Sequence, residues 1–148
     1  MIDLQVQNAS ASVSVPAKSD FVQWVAAALA GRGARELTIR IVDREESAEL
    51  NMRYRNRYGP TNVLSFGVEL PVGVDSPLLG DLVICAPLVQ AEAKAQKKPL
   101  EAHWAHLVVH GVLHLLGFDH QSDHLAREME AREISVLASL GIANPYET

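Results

Sequence analysis

The chain has 148 residues, 48% of them hydrophobic and 21% charged, with a formal net charge of −5. That length and composition fit one ordinary folded domain and exclude global disorder, while the net charge argues against a generally basic nucleic-acid binder. Cys85 is the single cysteine, so no intramolecular disulfide forms, and no apolar run approaches the roughly 18 residues of a membrane span.

Ile2 to Gln7 alternates Ile2, Leu4 and Val6 with Asp3, Gln5 and Gln7, the period of a half-buried strand. Pro16 to Arg32 reads as a helix, with Phe21, Trp24, Val25, Ala28 and Leu29 at helical spacing and Gly31 or Gly33 as its stop. Leu37 to Val42 supplies a second strand. Asp43 with Glu46 three residues later predicts a capping box that opens a helix running to about Arg57, ended by Gly59-Pro60. Asn62 to Leu70 and Leu79 to Ala86 are further strands joined through Pro71-Val72-Gly73. Cys85 reads as a small core residue of the second of these. Only helices follow: Leu88 to Lys98 after Pro87, Leu100 to Leu116, and Ser122 or Asp123 to Leu140, which Gly141 ends. The expected architecture is α/β (α+β): one domain over residues 1–148, a mixed sheet of about four strands with packed helices. The N-terminus Met1-Ile2-Asp3-Leu4 lacks a signal-peptide pattern, so a cytoplasmic location is expected.

Charge is unevenly placed. Residues 1–98 hold 11 basic and 11 acidic side chains, whereas residues 99–148 hold 2 and 7, so the whole deficit of −5 lies in the last third. Leu50 to Val68 contains no acid but carries Arg53, Arg55 and Arg57 interleaved with Tyr54 and Tyr58, a local cationic patch.

All six histidines lie between His103 and His124. On a helix of about 3.6 residues per turn, His103, His106, His110 and His114 fall on one side. His110 and His114 stand one turn apart and can direct two imidazole nitrogens at one ion. Gly117 can turn the chain back in the left-handed conformation, so that Phe118-Asp119-His120 brings a third imidazole to the same point. Three neutral imidazoles leave a fourth position open, the arrangement of a catalytic rather than a structural zinc site. Asp119 and His106 are candidates for orienting the ligands, though Asp119 reads equally as a turn former. His103 reads as a core residue and His124 as a solvated one. The spacing His110, His114, Gly117, His120 matches the metzincin metalloprotease pattern, but Gly111 stands where those enzymes carry the glutamate base, so proteolysis lacks its proton acceptor.

Taken in order, Leu50-Asn51-Met52-Arg53-Tyr54-Arg55, Pro60-Thr61-Asn62-Val63-Leu64-Ser65-Phe66, Leu79-Gly80-Asp81-Leu82-Val83-Ile84 and His110 to His120 resemble the bacterial YbeY family of single-strand endoribonucleases and rRNA maturation factors. The sequence departs from the family's usual pattern at Tyr58, Gly67 and Phe118. The resemblance implies a metzincin-like fold with one Zn2+ on His110, His114 and His120. It also implies an essential cleft arginine at Arg55, with Arg55 and His114 at the chemistry. The activity implied is cleavage of single-stranded RNA in late maturation of the small-subunit rRNA 3′ end and in ribosome quality control. Partners would be rRNA, the small subunit and its assembly factors, with neither DNA nor membrane engaged. Two other readings use the same residues: a metalloprotease-like hydrolase, and a zinc-stabilised adaptor that acts on ribosome assembly by binding alone.

Overall fold

Four strands and five helices follow one another among the residues described by the computed structural model, which are 2–32, 35–68, 71–73, 76–119 and 121–147. In chain order they are β1 (Ile2–Asn8), α1 (Lys18–Leu29), β2 (Arg35–Val42), α2 (Arg44–Arg55), β3 (Val63–Gly67), β4 (Leu78–Cys85), α3 (Ala86–Ala95), α4 (Leu100–Leu115) and α5 (Asp123–Ser139). The sheet order is β1-β2-β4-β3, with β1, β2 and β4 parallel and β3 antiparallel to β4. Parallel neighbours need long crossovers, which the helices supply, whereas β3 reaches β4 by one loop and so runs back against it as an edge strand. This is the mixed α/β sheet expected from the sequence.

Side chains alternate between the two faces of β4. Leu82 and Ile84 join Leu4, Leu37, Ile39 and Ile41 in the main core, which α1, α4 and α5 cover with Phe21, Trp24, Trp104, Val108 and Leu137. Phe21 meets Trp24 and Trp104 edge to face at 5.6 and 5.8 Å, locking α1 onto α4. Val83 and Cys85 point the other way, into a smaller cluster with Val42 and Leu64 against which Leu50 of α2 packs. Cys85 is buried, as a core residue should be, and burial pushes its thiol pKa up.

Two glycines set how closely these layers approach. Gly80 holds φ +143° where β4 pairs with Gly67 of β3, and a Cβ there would lie 2.3 Å from the Phe66 carbonyl oxygen. Gly111 faces Leu82 across the α4–sheet contact, and a Cβ would come within 2.7 Å of the Leu82 Cδ2.

Several boundaries differ from the sequence reading. α1 is shorter at both ends: Ala30 takes the left-handed conformation at φ 49° and closes the helix before Gly31. α2 stops at Arg55 because Asn56, also left-handed, caps it before Gly59-Pro60 is reached. β3 ends at Gly67, while Glu69 and Leu70 fall outside the described residues. α3 opens earlier, with its proline in the first turn, where the missing N–H costs nothing. The predicted capping box at α2 does not form. Asp43 is the N-cap, but its carboxylate accepts from Ser10 Oγ at 2.5 Å and from the Ala11 amide at 3.0 Å. Glu46 is drawn instead to Arg40 on the neighbouring strand, in a two-pronged ion pair of 2.6 and 2.9 Å. Those bonds hold both carboxyl pKa values below the usual range. Among the described residues, no helix is long and apolar enough to cross a membrane.

Candidate functional site

Helix α4 lays its apolar stripe, Trp104, Leu107, Val108, Val112 and Leu113, into the core. Its four histidines follow the same turn, running from the buried His103 to the exposed His114. His103, read as a core residue, is 4% exposed, and its Nε2 bonds to Glu92 at 2.9 Å; Glu92 also holds the Asn62 amide at 3.1 Å. This pins the β3 approach to α4. His124 is exposed at the start of α5, as expected of a solvated residue.

His110 and His114 stand ring to ring, centroids 6.4 Å apart and planes tilted by 32°. Each has its Nδ1 engaged by an oxygen. His114 Nδ1 donates to the Phe118 carbonyl at 2.9 Å, a bond made possible because Gly117, at φ +104°, turns the chain back under the helix end as the sequence predicts. His110 Nδ1 donates to the carboxylate of Glu133 on α5. An Nδ1–H committed to an acceptor leaves the lone pair of a neutral imidazole on Nε2, the nitrogen that can ligate an ion. The donor chemistry of both side chains therefore fits a metal such as zinc. Among the described residues no three His, Cys, Asp or Glu side chains gather to hold an ion, and His120, the third ligand expected from the sequence, lies outside them.

Glu133 was not among the candidates from the sequence. It has no solvent exposure, and it accepts from His110 and from the Tyr146 hydroxyl, with His106 Nε2 a further 3.6 Å away. Burial pushes its carboxyl pKa up, but the bonds from His106, His110 and Tyr146 outweigh that and hold it down at about 2. The Tyr146 hydroxyl pKa is pushed up by burial and by the same carboxylate. His106 therefore touches the residue that orients His110, its Nε2 lying 3.4 Å from the Tyr146 oxygen. A signal for Glu133 existed: it occupies the buried stripe of α5 with Met129, Val136 and Leu137, where an unpartnered acid would be very costly. Tyr146 carried none, standing beyond the helix end at Gly141.

Asp119 accepts the Gln121 amide at 2.6 Å, an Asx turn of the kind the sequence left open. Gly111 supplies no proton acceptor, and a Cβ there would press on the Leu82 side chain at 2.7 Å.

Arg55 is the last residue of α2 and is exposed, and none of the ion pairs among the described residues involves it. Helix α2 lies over the sheet face opposite α4, with edge strand β3 beneath both; Ser65 of β3 turns towards the Gly111 carbonyl at 3.5 Å, while Phe66 meets Tyr54 of α2. Arg55 on α2 and the histidines of α4 therefore stand on opposite sheet faces, either side of the β3 edge.

Residues 5–141 match the family described as Endoribonuclease YbeY. An Endoribonuclease YbeY from Nitrosococcus oceani is 55% identical, covering 99% of this chain and 98% of its own. Another from Methylococcus capsulatus is 59% identical, covering 99% and 96%. The solution structure of TM1509 from Thermotoga maritima superposes over the full length of both chains with a TM-score of 0.57 at 20% identity, a likeness of fold.

Proposed function

The chain belongs to the YbeY family of endoribonucleases, and from that premise we propose that it cuts single-stranded RNA with one zinc ion held by His110, His114 and His120. The observation that carries the reading is the pair of Nδ1 bonds, from His110 to Glu133 and from His114 to the Phe118 carbonyl, which fixes the ligating tautomer of two imidazoles one helical turn apart. When bound, the ion supplies Lewis acidity towards a phosphoryl oxygen and lowers the pKa of water.

The remaining work falls to this chain's own side chains. Arg55, exposed and outside every ion pair among the described residues, offers a planar fork of donors to a phosphate whose charge grows as the bond breaks. Glu133 keeps the His110 ring from rotating, Tyr146 and His106 keep Glu133 in place, and Gly117 turns the Phe118 carbonyl back onto the His114 ring. Peptide hydrolysis is disfavoured by Gly111, which supplies no carboxylate base.

The same reading makes residues 1–148 one catalytic domain, acting in the cytoplasm on rRNA with the small subunit and its assembly factors as partners. Incubating the zinc-loaded protein with single-stranded RNA and, separately, with denatured casein tests it. RNA cleavage abolished by His114→Ala is expected, and casein cleavage abolished by that substitution would overturn it.

A further inference from the structure

The tyrosines between the arginines are not used by the chemistry above, yet they are among the most exposed large side chains of the molecule. Tyr54 is 59% and Tyr58 95% exposed. Tyr54 is nonetheless fixed: its ring stands edge-on to Phe66 of β3, centroids 5.1 Å apart at 73°. It also walls a cavity of about 430 Å3 between α2 and the sheet, floored by Leu50, Phe66 and Val83, within the size range of small-molecule pockets.

The turn that carries Arg57 and Tyr58 is held from beneath by two buried polar side chains. Ser47, 1% exposed, gives its hydroxyl to the Thr61 carbonyl at 2.8 Å and receives the Thr61 amide at 3.0 Å. Asn51, 4% exposed, donates its side-chain amide to the Gly59 carbonyl at 2.9 Å. Residues 56–61 are therefore braced to α2, and their aromatic and cationic groups are presented on a preorganised frame. Of the three arginines only Arg53 has an anionic partner among the described residues, Glu49 at 3.5 Å. Leu50 to Val68 contains no acid; the carboxylates beside Tyr54 in the cavity are Asp81 and Glu46, the latter neutralised by Arg40.

Exposed rings alternating with guanidinium groups match the chemistry of a single strand, whose unpaired bases offer faces for stacking and whose backbone offers one charge per step. A duplex hides those faces. We propose that Tyr54 and Tyr58 form a base-stacking track that selects single-stranded over double-stranded RNA, with Arg55 and Arg57 holding the backbone alongside. This rests on the RNA reading above and adds how the strand is chosen.

The test is binding rather than turnover: fluorescence anisotropy of the zinc-loaded full chain with a short labelled 2′-O-methyl oligoadenylate, single-stranded or paired to its complement, over a salt series. Stacking on one ring predicts that Tyr54→Ala weakens single-strand binding about 10-fold, that Tyr54→Phe restores it, and that duplex binding and the salt slope stay as in the wild type. Tyr58→Ala, which removes a ring 95% exposed to solvent, shows a loss of the same sign. Arg57→Ala instead lowers the salt slope by about 0.7, the single-strand value for one phosphate. Wild-type affinity in Tyr54→Ala and Tyr58→Ala, or an equal loss on duplex, overturns the track while leaving the nuclease reading standing. A wild-type protein that fails to bind the single strand overturns both.

Discussion

His110 Nδ1 hydrogen-bonds to Glu133, a carboxylate with no exposure to solvent. The pair joins α4 to α5 through the proposed metal site, so the ligand's orientation is fixed by a residue 23 positions away in sequence. Replacing Glu133 with Gln keeps the shape and removes the charge. Zinc affinity is expected to fall about 10- to 100-fold, measured by competition with a chromogenic chelator. Unchanged affinity would show that the bond does not tune the ligand.

Arg55 separates chemistry from metal binding, because it lies on α2 and touches none of the ion pairs among the described residues. Arg55→Ala is expected to lower the RNA cleavage rate about 100- to 1,000-fold, the usual effect of losing one donor to a developing oxyanion. Zinc content and thermal midpoint should stay as in the wild type. Cleavage at the wild-type rate would show that Arg55 has no chemical role.

Gly80 governs the junction of β3 and β4. Alanine there meets the Phe66 carbonyl oxygen at 2.3 Å and must adopt φ +143°. Strain and overpacking together should cost about 3 kcal/mol, lowering the thermal midpoint by roughly 6–12 °C for a chain of this size. Differential scanning calorimetry gives the answer directly.

Gly111→Glu restores the glutamate of the protease motif in sequence but not in space. The Leu82 methyl lies 2.7 Å from the new Cβ, and Leu82 is fully buried, so its side chain must repack to admit the glutamate. The variant should be less stable than the wild type and inactive on casein. A stable, proteolytic Gly111→Glu protein would refute the packing argument.

The sheet, its helices and the turn at Gly117 were legible because each has a local signature: alternation in β1, helical spacing of Phe21, Trp24, Val25 and Ala28, and a glycine three residues after His114. Left-handed ends at Ala30 and Asn56 were not: alanine is the best helix former, and Asn56, though able to cap, stands just before the stronger stop at Gly59-Pro60. The capping box at Asp43 failed because Ser10, 33 residues away, and Arg40 on the neighbouring strand compete for the two carboxylates. Glu133 and Tyr146 were missed for the same reason. Their meaning comes from contact with His110 and His106, although an acid in the buried stripe of α5 was a visible anomaly.

The central claim is that His110 and its neighbours hold one zinc ion that RNA cleavage requires. Metal analysis of the purified wild-type chain beside His110→Ala, with circular dichroism to confirm folding, tests it most directly. The account predicts stoichiometric zinc in the wild type and its loss from the folded variant. Zinc retained at full occupancy in His110→Ala would contradict it.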